Sequence, residues 1–188
     1  RNPLDVISSL RYYYYENRDV TLQKFPPIHF LSAWHWRRAQ RTIDRELGSC
    51  GSDRRVRLRY EDFVADPRAA LSRVCRMLDV DDAPMDRMLA YREDEANPTV
   101  YERGRHMDQT RRDLNTASIG RATANLSPAM IGDIAHICRQ EMAALGYAPP
   151  AVARMPGRLR RAALGLACFG FDVAWAGLRA TRRLRGRL

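Results

Sequence analysis

The opening residues, Arg1-Asn2-Pro3-Leu4-Asp5-Val6-Ile7-Ser8-Ser9-Leu10, concentrate groups able to hold a phosphate. Asn2 is a good helix N-cap, Pro3 suits the first helical position, and Asp5 at N3 favours the positive end of the macrodipole. A helix starting here presents free backbone N–H groups to an anion. The Arg1 fork stands just before the cap, with the Ser8 and Ser9 hydroxyls about two turns in. The plainer reading of the same residues is a well-capped surface helix beside a solvated arginine.

Two further segments carry chemistry of the same kind. Arg55-Val56-Arg57-Leu58-Arg59-Tyr60 alternates apolar and charged residues, the pattern of a half-buried strand. It runs into Glu61-Asp62-Phe63-Val64-Ala65-Asp66-Pro67, where Asp66 caps a new helix whose apolar face is Leu71, Val74, Cys75 and Leu78. Farther on, Ser118-Ile119-Gly120-Arg121 forms a polar loop before Leu126-Ser127-Pro128. Ser127 caps the helix that follows, Gly146 stops it, and Ile131, Ile134, Cys138, Met142 and Leu145 form its stripe.

R-N-P-x-D-x-x-x-S, then a strand ending Y-E-D-x-x-x-D-P, then S-x-G-R before a last helix, resembles the PAPS-dependent sulfotransferase family. The likeness is closest to its bacterial members and covers residues 1–148. It implies that Arg1 and Ser9, eight positions apart, grip the 3′-phosphate of 3′-phosphoadenosine 5′-phosphosulfate (PAPS). It places Tyr60 near the adenine and makes Ser118, Gly120 and Arg121 the loop closing over the nucleotide phosphate. Ala122 departs from the pattern, because an aromatic is usual there.

The resemblance further implies a sulfuryl transfer to a hydroxyl or amine acceptor, with no metal required and the acceptor unidentified. The fold it implies is α/β, the P-loop NTPase-like three-layer sulfotransferase fold: a short parallel sheet flanked by helices, incomplete here and mostly helical. The family's phosphosulfate-binding loop and its catalytic base both lie before the R-N-P motif. The chain therefore reads as the C-terminal part of a longer enzyme, with its catalytic residues expected upstream of Arg1. A nucleoside kinase-like P-loop protein would share that fold class and should have a Walker lysine and a Mg²⁺-binding acid, but R-N-P-x-D-x-x-x-S with Y-E-D favours the sulfotransferase over it. A non-catalytic module docking on membranes or acidic partners is the alternative function.

Histidine is the usual base for such chemistry, yet none of the four is a good candidate. His29 and His35 sit on a helix expected to be packed, His35 between Trp34 and Trp36, and His106 and His136 have less to recommend them.

The elements that must position these groups follow from composition and periodicity. At 188 residues, 45% of them hydrophobic, the chain can bury one core. Cys50, Cys75, Cys138 and Cys168 show no metal or disulfide spacing. Cys75 and Cys138 fall on apolar faces, which suits buried free thiols in a reducing, cytoplasmic compartment. A helix is expected over residues 28–47, after a polar loop from Asn17 to Pro27. Tyr12 to Tyr15 point all round their helix, and residues 92–117 read as a long charged excursion.

The net charge is +10, but residues 151–188 hold nine arginines against one acid, Asp172, so +8 of it sits in the tail. The body is nearly neutral, and nucleic acid is not an expected partner. Pro149 to Gly157 mark a linker, and residues 158–188 read as a basic amphipathic helix. Two placements stand for it: in the bilayer interface with arginines on anionic head groups, or packed on the domain or an oligomer partner. A full span fits less well, because the apolar run is short and carries Asp172 near its middle.

Overall fold

Local capping chemistry sets most helix starts. The Asn2 side chain accepts from Leu4 N–H at 3.0 Å and opens α1 (Pro3–Asn17). Asp66 accepts from Ala69 N–H at 2.9 Å at the start of α4 (Pro67–Leu78), directly behind α3 (Tyr60–Ala65). Ser127 accepts from Met130 N–H at 3.3 Å ahead of α7 (Pro128–Ile137). The other helices are α2 (Ile28–Gly48), α5 (Met85–Leu89), α6 (Ala122–Asn125), α8 (Arg139–Ala144) and α9 (Arg158–Arg185). The computed structural model of the chain describes residues 1–17, 28–82, 85–89 and 116–185. Residues 18–27 of the Asn17 to Pro27 loop, the body of the 92–117 excursion, His106 and the Tyr12 to Tyr15 side chains lie outside the described residues, and Asn17 itself ends α1.

The expected α/β architecture is not what forms. Among the described residues there is no β-strand, so the short parallel sheet and the P-loop-like three-layer core are replaced by helix packed on helix. The segment that alternates like a strand is extended, with φ −142° and ψ 139° at Arg55 and φ −85° and ψ 140° at Arg59. It pairs with no second strand among those residues, and Tyr60 already begins α3. Alternation specifies an extended backbone, whereas a sheet also needs a partner to take the ladder hydrogen bonds.

The core lies where α1, α2 and α7 meet, closed by α6, α8 and α9. Ile7, Trp34, Ile131, Ile134, Cys138 and Met142 are fully or almost fully buried there. The stripe expected over 131–145 therefore faces inward, except that Leu145 is half-buried. Its single helix breaks at Cys138, whose φ −95° and ψ 7° separate α7 from α8. The face expected on α4 is thinner: Cys75 is buried, Leu71 and Val74 are half-buried, and Leu78 is exposed.

All four cysteines are free thiols, with Cys75, Cys138 and Cys168 buried and Cys50 exposed. The Cys138 thiol donates to the Ala33 carbonyl, and burial pushes its pKa far up, so it is inert rather than reactive.

Residues 149–157 are pinned to α7. Arg154 N–H donates to the Pro128 carbonyl at 2.9 Å and Pro156 is buried. At Gly132 an added Cβ would sit 1.9 Å from the Arg154 carbonyl oxygen, so only glycine admits this approach.

Helix α9 lies on the same body, its inward face carrying Leu164, Cys168 and Phe171. Near its start, Arg160 makes a two-pronged contact with buried Asp133, at 2.8 and 2.5 Å. At mid-helix the Asp172 carboxylate accepts from Trp34 Nε1 at 2.9 Å and Arg37 Nη2 at 3.0 Å, with Arg38 at 3.6 Å.

Candidate nucleotide-binding site

Three segments far apart in sequence close on one another around Arg1. Its guanidinium stacks over the Tyr60 ring, 4.5 Å from the centroid, and its Nη2 donates to the Ser118 carbonyl at 3.0 Å. The hydroxyls of Tyr60 and Ser118 are hydrogen-bonded at 2.9 Å. Arg1 Nε is buried and has no hydrogen-bond partner among the described residues. The sequence thus picked out Arg1, Tyr60 and Ser118 separately, and the fold brings them together.

Asp5 holds the loop in place. Its carboxylate, 3% exposed, accepts from Gly120 N–H at 2.8 Å and Ala122 N–H at 3.1 Å. Gly120 has φ +77° with open space around its Cβ position, so backbone conformation, not crowding, is what calls for glycine. Ala122, where an aromatic was expected, is buried under this tie at the start of α6.

The remaining two candidates stand farther out. Ser9 is exposed and joins none of these hydrogen bonds. Ser8 is the buried one, its hydroxyl accepting from Asn125 Nδ2 at 3.0 Å. Arg121 is exposed and turns its Nε back to the Ala117 carbonyl at 2.7 Å.

Sequence reasoning missed the role of the residue next to Tyr60, which ties three parts of the chain together. Glu61 accepts from Asn2 N–H at 2.7 Å and from the Tyr147 hydroxyl at 2.7 Å, joining the starts of α1 and α3 to the turn that follows α8. Arg59 stacks over the Tyr147 ring at 4.5 Å. The available signal was that Glu61 belongs to the same Y-E-D motif as Tyr60. Burial alone would raise the Glu61 carboxyl, but the Asn2 and Tyr147 hydrogen bonds outweigh it and hold the group below its usual value. The Tyr147 phenol is pushed up to about 12 by its burial and by the hydrogen bond to Glu61 and the charge there.

Because the folded Glu61 value is depressed, its stabilisation is complete above the ordinary carboxylate range. It is lost as pH falls through the folded value. Denaturant midpoints followed from about pH 7 to about pH 3 should therefore drop more steeply for the native chain than for Glu61→Gln. Parallel slopes would show that Glu61 holds no such role.

The described histidines, His29, His35 and His136, lie elsewhere. His29 approaches Asp133 at 3.7 Å, and His35 is exposed against the rings of Trp34 and Trp175 at 4.7 and 5.9 Å. Burial lowers the pKa of His35 and of His136, with neighbouring arginines adding to it. Among the described residues no group of three or more His, Cys, Asp or Glu is placed to hold a metal ion.

Residues 1–84 match the model of the sulfotransferase family. No curated protein and no solved structure matches the chain. The matched stretch holds Arg1, Asp5, Tyr60 and Glu61, the α1 and α3 side of the clasp, while Ser118 to Arg121 lie beyond it. The match over residues 1–84 supports assigning this chain to the sulfotransferase family.

Proposed function

We propose that Arg1, Tyr60 and the Ser118–Arg121 turn bind the adenosine 3′-phosphate end of PAPS. The chain would serve a sulfotransferase that moves a sulfuryl group to a hydroxyl or amine acceptor. One observation carries this reading: Arg1 stacks on Tyr60 while both residues hydrogen-bond to Ser118. The Arg1 guanidinium, with its buried and unpartnered Nε, supplies charge for a phosphate. Tyr60 supplies a flat face beside it for the base. The guanidinium N–H groups that Arg121 does not give to Ala117 are the second cationic contact, and the exposed Ser9 hydroxyl is a further donor along α1.

A doubly charged 3′-phosphate is what separates PAPS from ATP, so this end of the site selects the donor and fixes it for in-line attack. Sulfuryl transfer also needs a base for the acceptor and donors on the bridging oxygen.

Calorimetric titration of the intact protein with adenosine 3′,5′-bisphosphate tests the reading. Arg1→Ala should weaken binding on the order of 10- to 100-fold, as expected for a hydrogen-bonded charged contact. Ser9→Ala should have a smaller effect, and adenosine 5′-monophosphate should bind native and variant proteins alike. Unchanged bisphosphate affinity in both variants would remove the assigned roles.

A second reading, a non-catalytic module acting through the basic tail, is favoured by the exposed apolar face of α9. The two are compatible in a cytoplasmic enzyme that makes peripheral membrane contact through residues 158–188.

A further inference from the structure

Helix α9 turns an apolar face to water along its central length. Helical periodicity lines up Leu159, Leu166 and Val173 with Phe169 beside them. Their exposures are 89%, 73%, 56% and 67%. Between Arg161 and Arg179 the one charged residue is Asp172, and its carboxylate is taken by Trp34, Arg37 and Arg38 of α2. A surface helix normally keeps its apolar stripe on the core and its charges in water. Here the mid-helix charge is drawn inward, both faces are apolar, and arginines gather at the two ends. Arg158–Thr181 is long and apolar enough to cross a membrane by length and composition, with 6% of that window buried in the fold.

We propose that α9 lies in the plane of an anionic membrane surface. Leu159, Leu166, Phe169 and Val173 enter the acyl boundary, and the terminal arginines engage anionic head groups. Its other face stays packed on α2 and α7. This deepens, and rests on, the peripheral contact proposed above.

Three observations select this occupant and geometry. A spanning helix would have to strip Asp172 of three partners, or carry them and a carboxylate into hydrocarbon, which is costly. A second copy on the same face would bring a tail of the same +8 charge against it. An anionic lipid surface complements the arginines at both ends and the apolar stripe between them.

Vesicle flotation of the full chain tests it, with phosphatidylcholine alone and with phosphatidylcholine containing phosphatidylglycerol. The chain should float with the anionic vesicles only and detach as salt is raised. The double variant Leu166→Asp/Val173→Asp changes two exposed positions, so its circular dichroism should stay native. Its vesicle affinity should fall by about a hundredfold, the loss expected from two buried aliphatic side chains. Its adenosine 3′,5′-bisphosphate affinity should be unchanged.

No flotation with either vesicle overturns both this proposal and the peripheral contact beneath it. Anionic flotation undiminished by the double variant leaves contact through the arginines alone and overturns the in-plane apolar seat. Protein that stays with vesicles through an alkaline carbonate wash is a span, and overturns it as well. A dimer abolished by the same two substitutions names a second copy as the occupant and likewise overturns the membrane seat.

Discussion

Trp34→Ala is expected to remove about 3–5 kcal/mol, a large part of the stability of an ordinary domain. Trp34 is 1% exposed at the centre of the α1–α2–α7 core and packs against Phe171 and Trp175 of α9. Truncation leaves a cavity and also takes the Nε1 donor away from Asp172. Two losses then coincide: packing in the body and one of the ties that seat α9. Denaturant unfolding followed by far-ultraviolet circular dichroism measures the first, and limited proteolysis between α8 and α9 measures the second. Trp34→Phe separates them, since it keeps most of the ring volume and drops the donor. It should retain most of the midpoint while cleavage still increases. A Trp34→Ala midpoint within error of native would mean that this residue does not centre the core.

Asp5→Ala is expected to cost about 2–4 kcal/mol, because two backbone N–H groups lose a charged acceptor in a poorly solvated place. Gly120 and Ala122 both donate to this carboxylate; Gly120 lies in the turn that presents Ser118 to Arg1, and Ala122 opens α6 directly after it. Freed of Asp5, the turn should lose its fixed position, and bisphosphate affinity should fall with stability. Asp5→Asn is informative because the side-chain amide keeps one acceptor oxygen and sets an N–H₂ against the other backbone donor. Its midpoint and affinity should lie near those of Asp5→Ala. Native affinity in Asp5→Asn would show that the turn holds its shape without the carboxylate.

What the sequence disclosed about the fold was local chemistry. The caps at Asn2, Asp66 and Ser127 and the stop at Gly146 rest on contacts within a few residues, and each forms where expected. That the expected sheet does not form among the described residues was not legible. Alternation over Arg55 to Tyr60 predicts an extended backbone, while pairing depends on a partner elsewhere in the chain. The break at Cys138 was hidden too, because the apolar stripe runs through it without interruption.

At the site the division is similar. Arg1, Tyr60 and Ser118 could be named from their motifs, but not the tie that joins them. Asp5 reads as a helix-dipole carboxylate from its N3 position, and its actual partners stand 115 and 117 positions away. Asp172 reads as a defect in an apolar run until the α2 arginines appear opposite it.

The absent side chain at Gly132 lets Arg154 rest directly against α7, with Pro156 tucked in behind. The stretch before α9 is for that reason a weld and not a hinge. Whatever α9 lies upon, the Arg1 clasp must stand at a set height and tilt above it, like a lamp bolted to its base. On the proposed function, reach toward an acceptor would follow from this rigid geometry, and lengthening the stretch around Gly157 should shift which acceptors are met while leaving adenosine 3′,5′-bisphosphate affinity unchanged.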